Sequence, residues 1–343
     1  MLTTRKLPVS MQDFEDLRAN HCLYVDKTKY IYPLAAIGKS YFLGRPRRFG
    51  KSLFLSTLKA YFLGKKELFE GLAIAELEKD WIEYPVIYID FNKAVYKSEQ
   101  TLNTVLDAIL RVYEQEWNVD YIANELSVRF DNLIQKVAKQ SGRKVVVLVD
   151  EYDKPLLNTI NNSVVNENIR DTLKGFYGVL KGADANLRFV FFTGVTKFSK
   201  ISVFSDLNHL TDISLNEDFA GICGMSETEL TQYFQPEIKV LADKNKLSYD
   251  ETLADLKKHY DGYHFAKKSE DIYNPYSVLN TFFNKDIRNY WFETGTPTFL
   301  VKMLKDLDFD IKSLENDIRM PADYITDYRA EYEDPVPLLY QSG

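Results

Sequence analysis

Short apolar runs alternate with amphipathic stretches along the first part of the chain. Tyr41-Phe-Leu-Gly44 is a brief apolar run closed by glycine, and 52–63 then repeats Leu53, Leu55, Leu58, Tyr61 and Phe62 on one helical face. Pro85-Val-Ile-Tyr-Ile-Asp90 and Lys144-Val-Val-Val-Leu-Val-Asp150 read as strands ending in an acid, and Leu187-Arg-Phe-Val-Phe-Phe-Thr193 as a strand bounded by Gly194. Helices are expected over 102–117, 121–139 and 168–181, with a short strand near 212–215. The runs at 145–149 and 189–192 are continuously apolar, as befits central strands covered on both faces. Strands alternating with helices imply βαβ units and a mainly parallel sheet, hence an α/β fold.

Beyond about residue 220 the strand signals fade. Helices are expected over 226–234, 236–245, 249–260, 275–284 and 298–307. Ser226 with Glu229 is a capping-box start, and Pro275 stands where a first helical turn tolerates proline. The glycines of Ala220-Gly-Ile-Cys-Gly224 supply a joint between the two regions.

Composition narrows the class. Of 343 residues, 43 are Lys or Arg and 50 are Asp or Glu, a net charge of −7, which argues against a protein that coats DNA with positive charge. Hydrophobic residues at 45% and charged residues at 27% exclude wholesale disorder. Cys22 and Cys223 cannot build a disulfide framework, so a reducing compartment is expected. No apolar signal core and no stretch of ~20 apolar residues is present, so a soluble cytoplasmic protein without a membrane partner is expected.

The sharpest local signal is Gly44-Arg-Pro-Arg-Arg-Phe-Gly-Lys-Ser52, where a strand runs into a loop and Gly50-Lys51-Ser52 opens a helix. Such an arrangement suits a nucleoside triphosphate: N–H groups cradle phosphate, Lys51 neutralises it, and the Ser52 hydroxyl holds Mg²⁺. The strict pattern would place glycine at Arg45, so the motif is a variant; a solvated basic turn ahead of a helix is the alternative. Asp150 and Glu151 close the most apolar strand, as acids that position a metal and activate water do; a cap or surface pair is the alternative. The intervening strand 85–90 and the adjacent Glu fit the ATPase branch with an additional central strand. Thr193 is a candidate sensor, in contact with γ-phosphate or the attacking water, and Lys197 a weaker candidate for charge stabilisation; a residue that simply ends a strand and an exposed lysine are the alternatives. Asp90 reads first as a cap of the following loop, and Asp153 with Lys154 as a local ion pair or loop anchor. His21, His209, His259 and His264 are too scattered for zinc, and no Gly-x-Ser-x-Gly elbow occurs. Asn-Lys-x-Asp is absent, which favours ATP over GTP.

With these residues in hand, the chain resembles the predicted AAA-type ATPases common in gut bacteria, which commonly carry a C-terminal PD-(D/E)xK-type nuclease domain. The resemblance lies in Tyr24-Val-Asp-Lys-Thr28, Arg45-Pro-Arg-Arg-Phe-Gly-Lys-Ser-Leu53, Pro85–Asp90, Asp150-Glu-Tyr-Asp-Lys-Pro155, Thr193-Gly-Val-Thr-Lys-Phe-Ser199, Tyr260-Asp-Gly-Tyr263, Tyr273-Asn-Pro-Tyr-Ser277 and Tyr290–Gly295. It implies a P-loop NTPase core followed by a helical, winged-helix-like lid. It implies that Arg45, Pro46, Arg47, Arg48, Phe49, Gly50, Lys51, Ser52 and Leu53 form the phosphate loop, with Ser52 and Asp150 on Mg²⁺ and Glu151 as base. It also suggests a nucleotide contact for Asp26, Lys27 and Thr28, against the alternative that Asp26 or Thr28 caps a helix over 30–36. Tyr260-Asp-Gly-Tyr263 reads as a turn between lid helices that packs rather than binds.

The organisation expected is a segment 1–38 packed on the core and closing over the nucleotide, a core 39–222, a lid 223–330 and a tail 331–343. No strand-borne nuclease acid set is found in 308–343, so no nuclease activity is expected of this chain. Hydrolysis would drive a core–lid switch, with ATP and Mg²⁺ as cofactors and a homo-oligomer as a candidate assembly. A non-hydrolysing nucleotide sensor, or the ATPase part of a nuclease-linked nucleic-acid enzyme, are the rival readings.

Overall fold

Pairing of distant apolar runs, not local periodicity, sets the architecture. The computed structural model describes residues 5–195, 203, 204, 207, 209–290, 304, 305, 307, 309, 310, 312, 335 and 336. Lys197, most of the 298–307 helix, the 290–295 string beyond Tyr290 and nearly all of the 331–343 tail lie outside the described residues. Two compact units interleave along the chain: one takes 38–46, 83–211 and 297–343, the other 1–37, 47–82 and 212–296.

The first unit is built on a sheet of β1 (Ser40–Gly44), β2 (Val86–Asp90), β3 (Val145–Asp150), β4 (Leu187–Gly194) and β5 (Thr211–Asp212), in the order β2-β3-β4-β1-β5. The β2–β3, β3–β4 and β4–β1 pairs are all parallel. This is an α/β fold with a P-loop NTPase-like core. Every residue of β3 is buried, as its unbroken apolar run predicts. One face, with Val145, Val147 and Val149, packs into a core with Leu106 and Leu110 of the Glu99–Glu116 helix, Phe130 and Ile134 of Leu126–Ser141, and Leu173 and Phe176 of Ser163–Gly182. Ser98 and Asn162 cap two of these helices, so both begin earlier than their apolar pattern indicates. The outer strand β2 has its backbone at Tyr88 closed by the Tyr113 hydroxyl, which accepts from its N–H (2.7 Å) and donates to its carbonyl (3.2 Å).

The second unit is mainly helical. Its described helices of ten or more residues are Lys51–Phe62, Glu227–Asn245, Tyr249–Tyr260 and Pro275–Asn284. The two helices expected over 226–245 follow one another within Glu227–Asn245 across a kink, where Phe234 leaves helical geometry just ahead of Pro236. A two-stranded antiparallel ribbon, β6 (Met225–Ser226) with β7 (Ile272–Tyr273), is too short to leave a periodic trace in the sequence. The N-terminal residues join this unit through long-range contacts. Arg5 pairs with Glu237, and the Phe14 N–H donates to Ser56 Oγ.

A buried cation links two helices of the sheet unit. Arg129, 1% exposed, forks onto Glu114 (2.9 and 2.8 Å) and reaches Asp107. Burial tends to raise the Asp107 pKa, but hydrogen bonds from Arg129 and Arg111 prevail and hold it below the usual carboxylate range. Stability from Asp107 is therefore present above that range and lost as pH falls through the depressed value. Arg129→Ala should cost about 3–5 kcal/mol, because Glu114 is left buried without its cation. Urea unfolding should show that loss at neutral pH, and a smaller gap between the two proteins in acid.

Candidate functional site

The sheet unit gathers acids at one edge. Parallel register sets Leu43 opposite Thr193, Gly44 opposite Gly194, Val149 opposite Phe192, and Asp90 opposite Asp150. The carboxyl ends of four neighbouring strands therefore lie together, where α/β sheets bind ligands. Asp150 is 2% exposed, and its Oδ1 accepts from Thr193 Oγ1 at 2.6 Å. Tyr88, from the neighbouring strand, approaches Oδ2 at 3.5 Å. Glu151 is half-buried and adopts a left-handed backbone (φ 54°), and its N–H donates to Thr193 Oγ1 at 3.2 Å.

The turn after β3 is clasped to the end of β4. The Tyr152 N–H donates to the Thr193 carbonyl (2.9 Å), and the Val195 N–H to the Asp153 carboxylate (3.0 Å). A Cβ on Gly194 would stand 2.4 Å from the Tyr152 ring, so only glycine fits there. Asp153 thus anchors the loop through a backbone amide, while Lys154 donates to Asn92 Oδ1 (2.9 Å). Asp90 Oδ1 accepts from the Asn92 N–H (2.8 Å) and caps the following turn.

The phosphate-motif loop leaves β1 at Arg45, whose N–H donates to the Gly194 carbonyl (3.1 Å) and whose guanidinium donates to the Gly44 carbonyl (2.9 Å). Arg45 is 1% exposed, and Pro46 is buried. In the helical unit, Gly50 takes a left-handed conformation (φ 91°) and opens the Lys51–Phe62 helix without a side-chain cap. Such an end offers its first N–H groups to an anion. Lys51 is 3% exposed, Arg47, Ser52 and Leu53 are half-buried, and the Leu53 carbonyl accepts from the Thr57 hydroxyl (2.8 Å).

Residues 48 and 49 are gripped within this unit. The buried Phe49 ring meets Tyr263 edge-on (centroids 4.5 Å apart) and Phe265 likewise (5.5 Å), and its carbonyl accepts from the Gly224 N–H (3.0 Å). Arg48, also left-handed (φ 68°), lays its guanidinium over the Tyr276 ring at 4.7 Å. The sequence reading missed Tyr88, Gly224, Phe265 and Tyr276 as supports. Tyr263 and Tyr276 did stand in quoted strings, and Tyr263 packs as expected of its turn, where Gly262 has φ 108°.

Asp26, Lys27 and Thr28 are likewise held by protein partners. Asp26 accepts from the Thr28 N–H (2.8 Å), the Thr28 hydroxyl (2.7 Å) and the Ala73 N–H (2.7 Å). Lys27 donates to the Gly221 carbonyl (2.8 Å) and pairs with Glu229 (2.6 Å). Burial pushes its ammonium pKa down, against the opposing pull of Glu229. Among the described residues, no group of three or more His, Cys, Asp or Glu is arranged to hold a metal by itself.

A family described as Predicted AAA-ATPase matches residues 8–204. The chain belongs to that family. The description predicts ATPase chemistry for the family as a whole. A curated relative from Azotobacter chroococcum mcd 1, described as an uncharacterized protein in the vnfD 5′ region, is 38% identical over 348 residues. The match covers 100% of this chain and 64% of that relative, so this chain spans less than two thirds of the relative's length. Among the described residues, no helix is long and apolar enough to cross a membrane.

At Gly224, a φ of 87° coincides with a Cβ position 2.1 Å from Ile272 Cγ2 and 3.2 Å from the Phe49 ring. Gly224→Ala should therefore cost about 1–3 kcal/mol, read as a lowered midpoint in thermal unfolding.

Proposed function

We propose that this member of the predicted AAA-ATPase family is a Mg²⁺-dependent ATPase. In this reading, N–H groups of 47–52 hold phosphate, and the Lys51 ammonium offsets its charge. The observation that supports it is the strand order β3-β4-β1: a single strand, β4, stands between the acidic strand and the strand that feeds the Gly-Lys-Ser helix.

The donor set suits a hard cation, since Ser52 offers a hydroxyl and Asp150 a carboxylate, both oxygen ligands. Ser52 and Asp150 would hold magnesium, which supplies charge neutralisation at the transferring phosphoryl group. Glu151 would take the proton of the attacking water. Arg47 would be the loop arginine that offsets γ-phosphate charge, because Arg48 is seated on Tyr276. For Asp26, Lys27 and Thr28 the hydrogen bonds support an anchoring part, tying the N-terminal segment to residues 73, 221 and 229. ATP cleavage would then move the residues that grip the loop, 224–276, a two-state device biased by γ-phosphate.

Lys51→Ala should weaken ATP binding at least about tenfold, the scale of one charge-assisted contact, by equilibrium titration. Glu151→Gln should bind ATP as the wild type does and lose about 10²-fold or more in single-turnover cleavage. Equal cleavage rates in wild type and Glu151→Gln would remove Glu151 as base. Binding without any cleavage by the wild type would make the protein a nucleotide sensor.

A further inference from the structure

We propose that Thr193 is a positioning residue that fixes the Asp150–Glu151 pair, and not a reader of γ-phosphate. The inference rests on the ATPase reading and deepens it. A threonine hydroxyl carries one proton. In Thr193 that proton points to Asp150 Oδ1 across 2.6 Å, a length typical of a charge-assisted bond. The oxygen accepts from the Glu151 N–H at 3.2 Å. The remaining contact of the hydroxyl, 3.4 Å to the Val149 carbonyl, is also with β3. All three contacts therefore end on residues 149–151.

The backbone arrangement supports the same assignment. Thr193 is fully buried, and its β-branch stiffens χ1, so the hydroxyl has little freedom to turn elsewhere. Its carbonyl accepts from the Tyr152 N–H, which brackets Glu151 on both sides. Glu151 stands at φ 54°, a conformation that a non-glycine residue holds only when its surroundings enforce it. Thr193 supplies that enforcement from the adjacent strand. It thereby fixes the direction in which the Glu151 side chain leaves the turn, as well as the Asp150 carboxylate.

Three variants test this: Thr193→Val, which keeps shape and removes the hydroxyl; Thr193→Ser, which restores it; and Asp150→Ala. Thr193→Val should leave the ATP-to-ADP affinity ratio, measured in EDTA, within about threefold of wild type, while single-turnover cleavage falls about tenfold or more. Thr193→Ser should recover most of that rate. In nucleotide-free protein, Thr193→Val should lower the urea midpoint in the wild-type background and change it little in the Asp150→Ala background. A collapsed ATP-to-ADP ratio, or additive losses in the unfolding cycle, would overturn the assignment. Wild-type protein that neither binds nor cleaves ATP would overturn the ATPase reading instead, and the unfolding cycle would still report on the Thr193–Asp150 bond.

Discussion

Parallel pairing of β2, β3, β4 and β1 is the constraint on which the rest depends. Strands that run in one direction end at one edge, so Asp90, Asp150, Thr193 and Gly44 are neighbours although the sequence scatters them. An antiparallel partner in the middle of this sheet would send one of those ends to the opposite edge. The continuous burial of β3 makes the parallel arrangement stable, because helices cover a face that a hairpin sheet could leave to water. The clasp between 150–153 and 193–195 then converts adjacency into fixed side-chain direction.

The loop after β1 departs from the usual glycine-rich pattern, and its contacts give a physical account of why. Arg45 is buried and donates to the carbonyl of Gly44, Arg48 is spread over an aromatic ring, and Phe49 is seated against Tyr263 and Phe265. A loop short of glycine has fewer backbone states to lose, and aromatic and guanidinium anchors select one of them. Only Gly50 and Arg48 among these residues carry a left-handed backbone, and the former opens the helix.

Much of the fold was legible. The four long strands follow from apolar runs, and the 249–260 and 275–284 helices keep their expected bounds, with Ser248 and Asn274 capping their first turns locally. The helices start at Glu99 and Ser163, ahead of their apolar repeats, since the polar first turn after a cap carries no apolar periodicity. The short Phe14–Ala19 and Ala73–Leu77 helices and the β6–β7 ribbon are too brief to show a period. Residue types and strand ends are readable, and Lys51, Ser52, Asp150 and Glu151 are candidates by motif and position, their joint role belonging to the proposal. The grip on Phe49 was not, because Gly224, Tyr263 and Phe265 meet it across long stretches of chain and have no pattern in common. Nor was the Thr193–Asp150 bond, which depends on strand order and register rather than on either residue's neighbours.

The most direct test of the central claim is a crystal structure with Mg²⁺ and a non-hydrolysable ATP analogue. The account predicts phosphates on the amides of 47–52 with Lys51 beside them, and the metal held by Ser52 with Asp150 facing its ligand sphere. Nucleotide bound elsewhere, or a metal on the phosphates with Asp150 turned away, would contradict it.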